Sequence, residues 1–553
     1  MSSTVAGLLQ VGILLAVLAA VYKPFGDHMA RVFTDKKHLA IERVIYRTVR
    51  VDPESEQRWP VYAVGVLGFS FVSIVLLYLI QRLQPLLPFD FGRGAVAPGI
   101  AFNTAISFVA NTNWQSYVPE LVMGHTVQML GLTVQNFVSG AAGIAVAIAL
   151  VRGFTRSATD RLGNFWVDLV RGTVRILLPV AFVFAIVLIA LGVVQSLKSG
   201  VDVTNPDGST SRIALAPAAG QEAIKELGTN GGGIFNANSA HPFENPNGST
   251  NLIEIFLILL VPVCLTRTFG TLVGNRRQGY TLLSVMGVLW GAMLAVIWWA
   301  EAHPNGPAAL LAGAATEGKE VRFGIAGSAL FADTTTGTST GAVNAAHDSL
   351  TGLGGGGTLL NMLFSEMTPG GVGTGLYSIL VMAIIAVFLA GLMVGRTPEY
   401  LGKRLGRREV TTSAIAILAM PTLVLVGAGV AIMLPGTPGY LGNSGIHGWS
   451  EILYAYTSAA NNNGSAFGGL TATSPWFESS LGIAMLLGRL VPITAVLCLA
   501  GSLAAQKKVP ATSGTLPTQG PLFASLLTGT IVLVAALTFI PALALGPIAE
   551  ALA

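Results

Sequence analysis

Four short polar triplets break a chain that otherwise consists of long apolar runs. They read Asn111-Thr112-Asn113, Thr229-Asn230-Gly231, Ser339-Thr340-Gly341 and Asn462-Asn463-Gly464. Each stands in a short, weakly apolar segment between two long apolar spans. A small polar pair followed by Gly, or once by Asn, is poor material for a membrane helix. Non-helical backbone at membrane depth is tolerated only where protein buries it or where it lines a water-filled cavity. Four such interruptions in four matching places predict four re-entrant loops around one pore.

The spans set the fold class. Runs long enough for a ~30 Å hydrocarbon core fall at 5–22, 60–81, 126–150, 174–195, 252–274, 281–299, 376–395, 410–434, 480–503 and 522–547. Half-polar segments at 99–110, 219–228, 325–336 and 450–460 each precede one triplet. Only 10% of the 553 residues are charged, against about 25% in a soluble domain, which excludes an ordinary soluble enzyme. The expectation is an all-α polytopic membrane protein with ten transmembrane helices and four membrane–pore–membrane repeats around one pore. Its divisions are 1–59, an extra helix and loop; 60–150, 168–275, 280–396 and 410–503, the repeats; and 521–553, an extra C-terminal helix. The repeat is one of hydropathy and position. Cys264 and Cys498 fall within apolar runs and read as small buried hydrophobes. The run 5–22 has no basic segment before it and reads as a retained helix.

Basic residues give the orientation. Of 31 Lys and Arg, 22 fall in the loops 23–59, 151–173, 265–280, 396–409 and 504–520. Seven fall on the side that carries the triplets, and Arg175 and Arg489 fall within spans. The positive-inside rule then places the basic loops in the cytoplasm and the triplets and both termini outside.

The third unit differs from the others. Gly354–Gly357, an apolar stretch at 358–365, Glu366 and the run 368–375, rich in Gly and Thr with one Pro, cannot form one continuous helix. The sequence predicts a second helix broken at an acidic residue and a flexible glycine loop.

Aligned, the triplets supply a side-chain oxygen at the first two positions and Gly or Asn at the third, where a filter strand needs φ > 0. None supplies a carboxylate. A site of neutral oxygens suits a large monovalent cation that sheds water cheaply, above all K⁺. Gln115 is positioned to brace the first triplet. Arg489, roughly 14 Å into its span at 1.5 Å per residue, would repel a cation below the filter, or else pair with Glu366 or with backbone carbonyls. Glu366 offers a negative waypoint for a cation leaving sideways. Glu254, near a span end, reads as an ordinary interfacial acid. His241 and Glu244 are too few to make a metal site.

Six strings carry a resemblance: Asn111–Ser116 (NTNWQS), Gly228–Asn238 (GTNGGGIFNAN), His241–Pro246 (HPFENP), Arg396–Lys403 (RTPEYLGK), Ala459–Phe467 (AANNNGSAF) and Ser513–Gly520 (SGTLPTQG). Spread over nearly the whole chain, they resemble the family of potassium-translocating A subunits (KdpA) of the bacterial Kdp P-type ATPase complex. The third triplet matches less well, since the residue between Ser339 and Gly341 varies in that family. The resemblance implies a non-catalytic subunit that takes K⁺ at the four triplets, supported by Gln115 and Gly232. It supports gating at Arg489; from the residues themselves, Glu366, Gly370 and Gly371 read as the gate or tunnel at the helix break, and Arg396 as part of a cytoplasmic loop that touches a partner or is simply solvated. The partners implied by the resemblance are a catalytic B subunit, a C subunit and a small F-type peptide in the bacterial plasma membrane. K⁺ enters as the transported ion, with no organic cofactor. The sequence agrees in lacking a P-loop and an Asp-Lys-Thr-Gly phosphorylation site. Two other readings compete. A self-sufficient K⁺ channel or symporter would share the four-unit plan. A membrane enzyme acting on lipid or quinone would need a cluster of intramembrane acids or histidines, which the spans do not offer.

Overall fold

The computed structural model describes residues 3–303, 311, 315–365, 367–510 and 515–553. Among them, ten helices are long and apolar enough to cross a membrane. They are α1 (Ser3–Thr34), α2 (Trp59–Arg82), α4 (Val127–Thr155), α5 (Phe165–Ala190), α7 (Gly248–Leu272), α8 (Arg276–Ala302), α11 (Thr374–Met393), α12 (Arg407–Met433), α14 (Pro475–Ala505) and α15 (Pro521–Ala544). Four shorter helices lie between them: α3 (Pro98–Val109), α6 (Ala218–Leu227), α9 (Gly324–Gly337) and α13 (Gly445–Asn461). Each runs directly into one polar triplet. The protein is therefore a mostly helical, multi-pass membrane protein with four pore-loop repeats, in which strands are confined to three short two-stranded pairs among the described residues.

The spans divide by what surrounds them. The most apolar windows of α4 and α7 are each 83% buried, whereas those of α1, α5 and α12 are 17–22% buried. The first pair stands inside the bundle and the others form its outer wall. Small residues permit the close approach of the inner helices. Gly153 of α4 meets the backbone of Ala500 in α14, and Gly488 of α14 meets that of Ala460 in α13.

Helix α1 continues well past the expected end at 22, to Thr34. Its second half buries Met29, Ala30, Val32 and Phe33, and Asp27 meets the Arg267 side chain of α7 at 2.8 Å. Helix α5 starts at Phe165 rather than 174, and Arg175 is held there by Glu42 and Asp35, at 2.5 and 2.9 Å.

The third repeat is broken between Leu363 and Thr374, the interval that holds most of the glycine run 368–375. Gly354–Gly357 lie inside a twelve-residue helix, α10 (Gly352–Leu363). They are helical because neighbours fill the places of missing side chains: Phe467 beside Gly355, Pro547 beside Gly356, Ile297 beside Gly357. The chain leaves the helix after Leu363 and resumes at Thr374. Gly370 and Gly373 in the interval both have positive φ, 84° and 86°. Glu366 lies outside the described residues.

Candidate functional site

All four short helices end in the same way. The first residue of each triplet is left-handed, with φ of 67° at Asn111, 47° at Thr229, 58° at Ser339 and 57° at Asn462. The backbone N–H of the second residue then donates to a carbonyl five residues back. Thr112 reaches Ser107 (2.9 Å), Asn230 reaches Lys225 (2.8 Å), Thr340 reaches Thr335 (3.2 Å) and Asn463 reaches Ser458 (2.9 Å). This is a Schellman-type helix end, which turns the chain sharply out of the helix axis. The third residue also has positive φ, 55° at Asn113, 87° at Gly231, 80° at Gly341 and 107° at Gly464. The third position matches the sequence expectation. The left-handed first position was not anticipated from the sequence, which marks it only as a source of side-chain oxygen.

The four strands close into a ring. A Cβ added to Gly231 would overlap the Thr340 carbonyl oxygen, one on Gly341 that of Asn463, and one on Gly464 that of Thr112. A Cβ on Gly232 would stand 2.8 Å from the Asn113 side chain. Each strand thus presses on the next in chain order, and the last on the first. Glycine is required here because backbone abuts backbone, leaving no space for a side chain to turn aside.

Side chains of the ring mostly brace it from behind. Asn111 donates to the Thr229 carbonyl (2.8 Å), and the Asn113 amide bonds Asn136 of α4 (2.6 Å). Asn462 donates to the Thr112 hydroxyl (2.9 Å) and to the Met485 carbonyl (2.8 Å). Asn463 donates to the Thr335 carbonyl (2.9 Å), and the Thr338 and Thr340 hydroxyls share a bond of 2.8 Å. The Ser339 hydroxyl reaches the Asn461 carbonyl at 3.4 Å. Asn230 packs its amide between Asn111 (2.7 Å) and Ser139 (3.2 Å). Gln115 clamps the first loop to the second: its amide donates to the Gly233 carbonyl (3.2 Å) and accepts from the Gly233 N–H (3.1 Å).

The ring separates two spaces. On one side a vestibule of ≈ 670 Å³ opens over Asn113, Gly231, Gly341 and Gly464, the third residue of every triplet. On the other a small cavity of ≈ 60 Å³ reaches Asn461 and Asn462 and runs between Tyr377, Met420 and Val496. The glycine loop of the third repeat lies against the ring on that inner side. Gly370 donates its N–H to the Gly337 carbonyl (2.7 Å), Val372 donates to the Thr229 hydroxyl (3.0 Å), and Gly371 sits against Ser339.

Arg489 is 5% exposed in α14. Its guanidinium faces α4, where Nη2 donates to the Ser139 carbonyl (3.5 Å) and would stand 3.1 Å from a Cβ at Gly143. That is its one hydrogen bond among the described residues. Arg396 lies apart from this group, exposed in the turn after α11.

Sequence reading missed a charged cluster behind the second loop. The Lys225 ammonium is fully buried and meets Glu222 at 2.7 Å, Glu244 at 2.9 Å and Glu226 at 3.4 Å. Glu254, expected at an interface, is likewise fully buried, close to Glu222 and Glu226. The only signal was the spacing of Glu222, Lys225 and Glu226, which lies on a helix that hydropathy reads as merely half-polar. His241 stacks on Phe235 at 4.1 Å instead of joining Glu244.

Four re-entrant strands with identical helix ends, ringed inside ten spans, define a four-unit pore-loop membrane protein. Known proteins narrow the class. The family described as potassium-transporting ATPase A subunit matches residues 12–552. A "potassium-transporting ATPase potassium-binding subunit" from Mycobacteroides abscessus is 62% identical over the full length of both chains. Proteins of the same description from Rhodococcus erythropolis and Streptomyces coelicolor are 64% and 60% identical, again over both full lengths. The fold is similar to that of the potassium transporter TrkH from Vibrio parahaemolyticus. The TM-score is 0.53 at 12% identity, covering 89% of this chain and 96% of that one. The chain belongs to the potassium-transporting ATPase A-subunit family.

Proposed function

We propose that this chain is the potassium-binding, non-catalytic subunit of an ATP-driven K⁺ uptake pump. K⁺ enters the vestibule, sheds water at the ring of triplets and leaves toward a separate P-type ATPase subunit. One observation carries this reading: four strands with the same backbone conformation meet in one ring that offers neutral oxygens and no carboxylate. Such a ring replaces the weakly held water of a large monovalent ion more readily than that of a divalent one.

The orientation proposed is vestibule outward and basic loops in the cytoplasm of the bacterial plasma membrane, following the excess of Lys and Arg on the latter. The Arg489 charge stands as a barrier to a straight path inward; among the described residues its one hydrogen bond goes to the neutral Ser139 carbonyl. The ≈ 60 Å³ cavity beside Tyr377 and Met420 is the natural start of a sideways exit. Glu366 is assigned to that exit as a waypoint. Catalytic B, C and small F-type subunits complete the assembly, and the exposed Arg396 turn is assigned as one contact with them. The test is K⁺ uptake into vesicles holding this chain with its catalytic partner. ATP-dependent uptake that prefers K⁺ over Na⁺ is expected. Uptake that persists unchanged when the catalytic partner is omitted would overturn the proposal and favour a self-sufficient channel.

A further inference from the structure

The four strands are alike in conformation but not in how their third carbonyls are held. Asn238, eight residues after Asn230, is buried and has φ of 55°. Its Nδ2 donates to the Gly231 carbonyl at 2.7 Å. Among the described residues, the carbonyls of Asn113, Gly341 and Gly464 accept no side-chain hydrogen bond. The amide orientation is fixed by what surrounds its other end. Oδ1 accepts from the Lys225 ammonium (3.0 Å), the Ser239 N–H (2.8 Å) and the Val343 N–H (3.4 Å). With three donors on Oδ1, the NH₂ group must face Gly231.

The anchor behind Asn238 is rigid. Lys225 is itself held by Glu222 and Glu244. Glu244 in turn accepts from the N–H groups of Ile234 (2.8 Å) and Phe235 (2.9 Å). Gly233 leaves room for this: a Cβ there would stand 2.8 Å from Glu244 Oε2 and 3.0 Å from Asn238 Nδ2. The ammonium also polarises the amide, which strengthens the N–H donor at the far end. A carbonyl that accepts such a bond is fixed in place and gives less charge to a passing ion.

We propose that Asn238 is a positioning residue for ion discrimination: anchored on Lys225, it fixes the Gly231 carbonyl and makes one of four outer oxygens unlike the rest. The inference rests on the filter reading above. Selectivity among monovalent cations depends on the number, position and strength of the coordinating oxygens, so altering one of four shifts the preference between K⁺ and Rb⁺.

Asn238→Asp and Asn238→Ala separate the two ends of the amide. Asp keeps the size and the Lys225 partner but sets an oxygen against the Gly231 carbonyl. Ala removes both contacts, including the hydrogen bond from the Lys225 ammonium, which keeps its ion pairs with Glu222, Glu226 and Glu244. The assay is ATP hydrolysis by the assembled complex, giving KM and kcat for K⁺ and for Rb⁺. In both variants KM for K⁺ rises about tenfold, the scale of one lost hydrogen bond, the K⁺/Rb⁺ ratio of KM values shifts, and kcat is retained. The proposal is overturned if the ratio stays at the wild-type value, whether KM is unchanged or kcat and assembly alone fall. Gly341→Ala separates this from the filter reading. If it shifts the ratio while the Asn238 variants do not, only the Asn238 assignment fails. If it too leaves the ratio unchanged, the filter reading fails.

Discussion

Gly464→Ala tests the ring with a single methyl group. Its φ of 107° lies where an L-residue is strained, and the added carbon would overlap the Thr112 carbonyl oxygen of the neighbouring strand. The backbone strain alone is about 1–3 kcal/mol. The overlap cannot be relieved by a side-chain rotation, because the obstructing atom is backbone, so Thr112 or Gly464 must move out of the ring. If that strain is relieved only by losing ring geometry, at about 1.4 kcal/mol per decade, apparent K⁺ affinity falls about ten- to a hundredfold. Gly468→Ala, four residues on, meets nothing within 4 Å and serves as the control. The assay is KM for K⁺ in ATP hydrolysis by the assembled complex, with complex yield measured in parallel. Wild-type KM in Gly464→Ala, from a complex assembled in normal yield, would refute the reasoning.

Arg489→Met keeps bulk and removes the charge; vesicles holding the mutant complex are expected to leak K⁺ without ATP, and wild-type tightness would count against the barrier role. The purified chain alone is expected to hydrolyse no ATP, a point that a steady phosphate-release assay on partner-free protein checks. His447 bridges Asp348 (2.8 Å) and Glu550 of the short C-terminal helix α16 (Pro547–Leu552, 2.9 Å), and these hydrogen bonds raise its pKa to about 10. The bridge is fully formed below about pH 6.5, the ordinary histidine value. It weakens as pH rises and is lost near pH 10. Hydrogen exchange over 547–552 is expected to quicken across that range beyond the intrinsic pH effect. His447→Gln should abolish the extra dependence.

The pore helices were legible because two signals coincide at each. The half-polar segment expected at 219–228 is the helix Ala218–Leu227, and that at 99–110 is Pro98–Val109. Hydropathy marks the short helix, and a Gly or Asn three or four residues beyond its end marks the turn. What escaped depends on partners distant in sequence. Asp27 looks like the end of a span until Arg267, 240 residues away, neutralises it. Lys225 looks like an exposed lysine until Glu244 and Asn238 fold back over it. The glycine tetrad is held helical by packing partners far along the chain, Phe467 in the fourth repeat and Pro547 near the C-terminal end. Local pattern reports local backbone preference, and burial of charge or of glycine is decided by tertiary contact.

The central claim is that K⁺ is held where the four triplets meet. Anomalous scattering from crystals of the assembled complex grown in Rb⁺ or Tl⁺ tests it most directly. An ion peak is expected on the axis of the ring, between the strands of Asn111–Asn113, Thr229–Gly231, Ser339–Gly341 and Asn462–Gly464. A ring without ions, with the peaks instead beside the acids around Lys225, would contradict it.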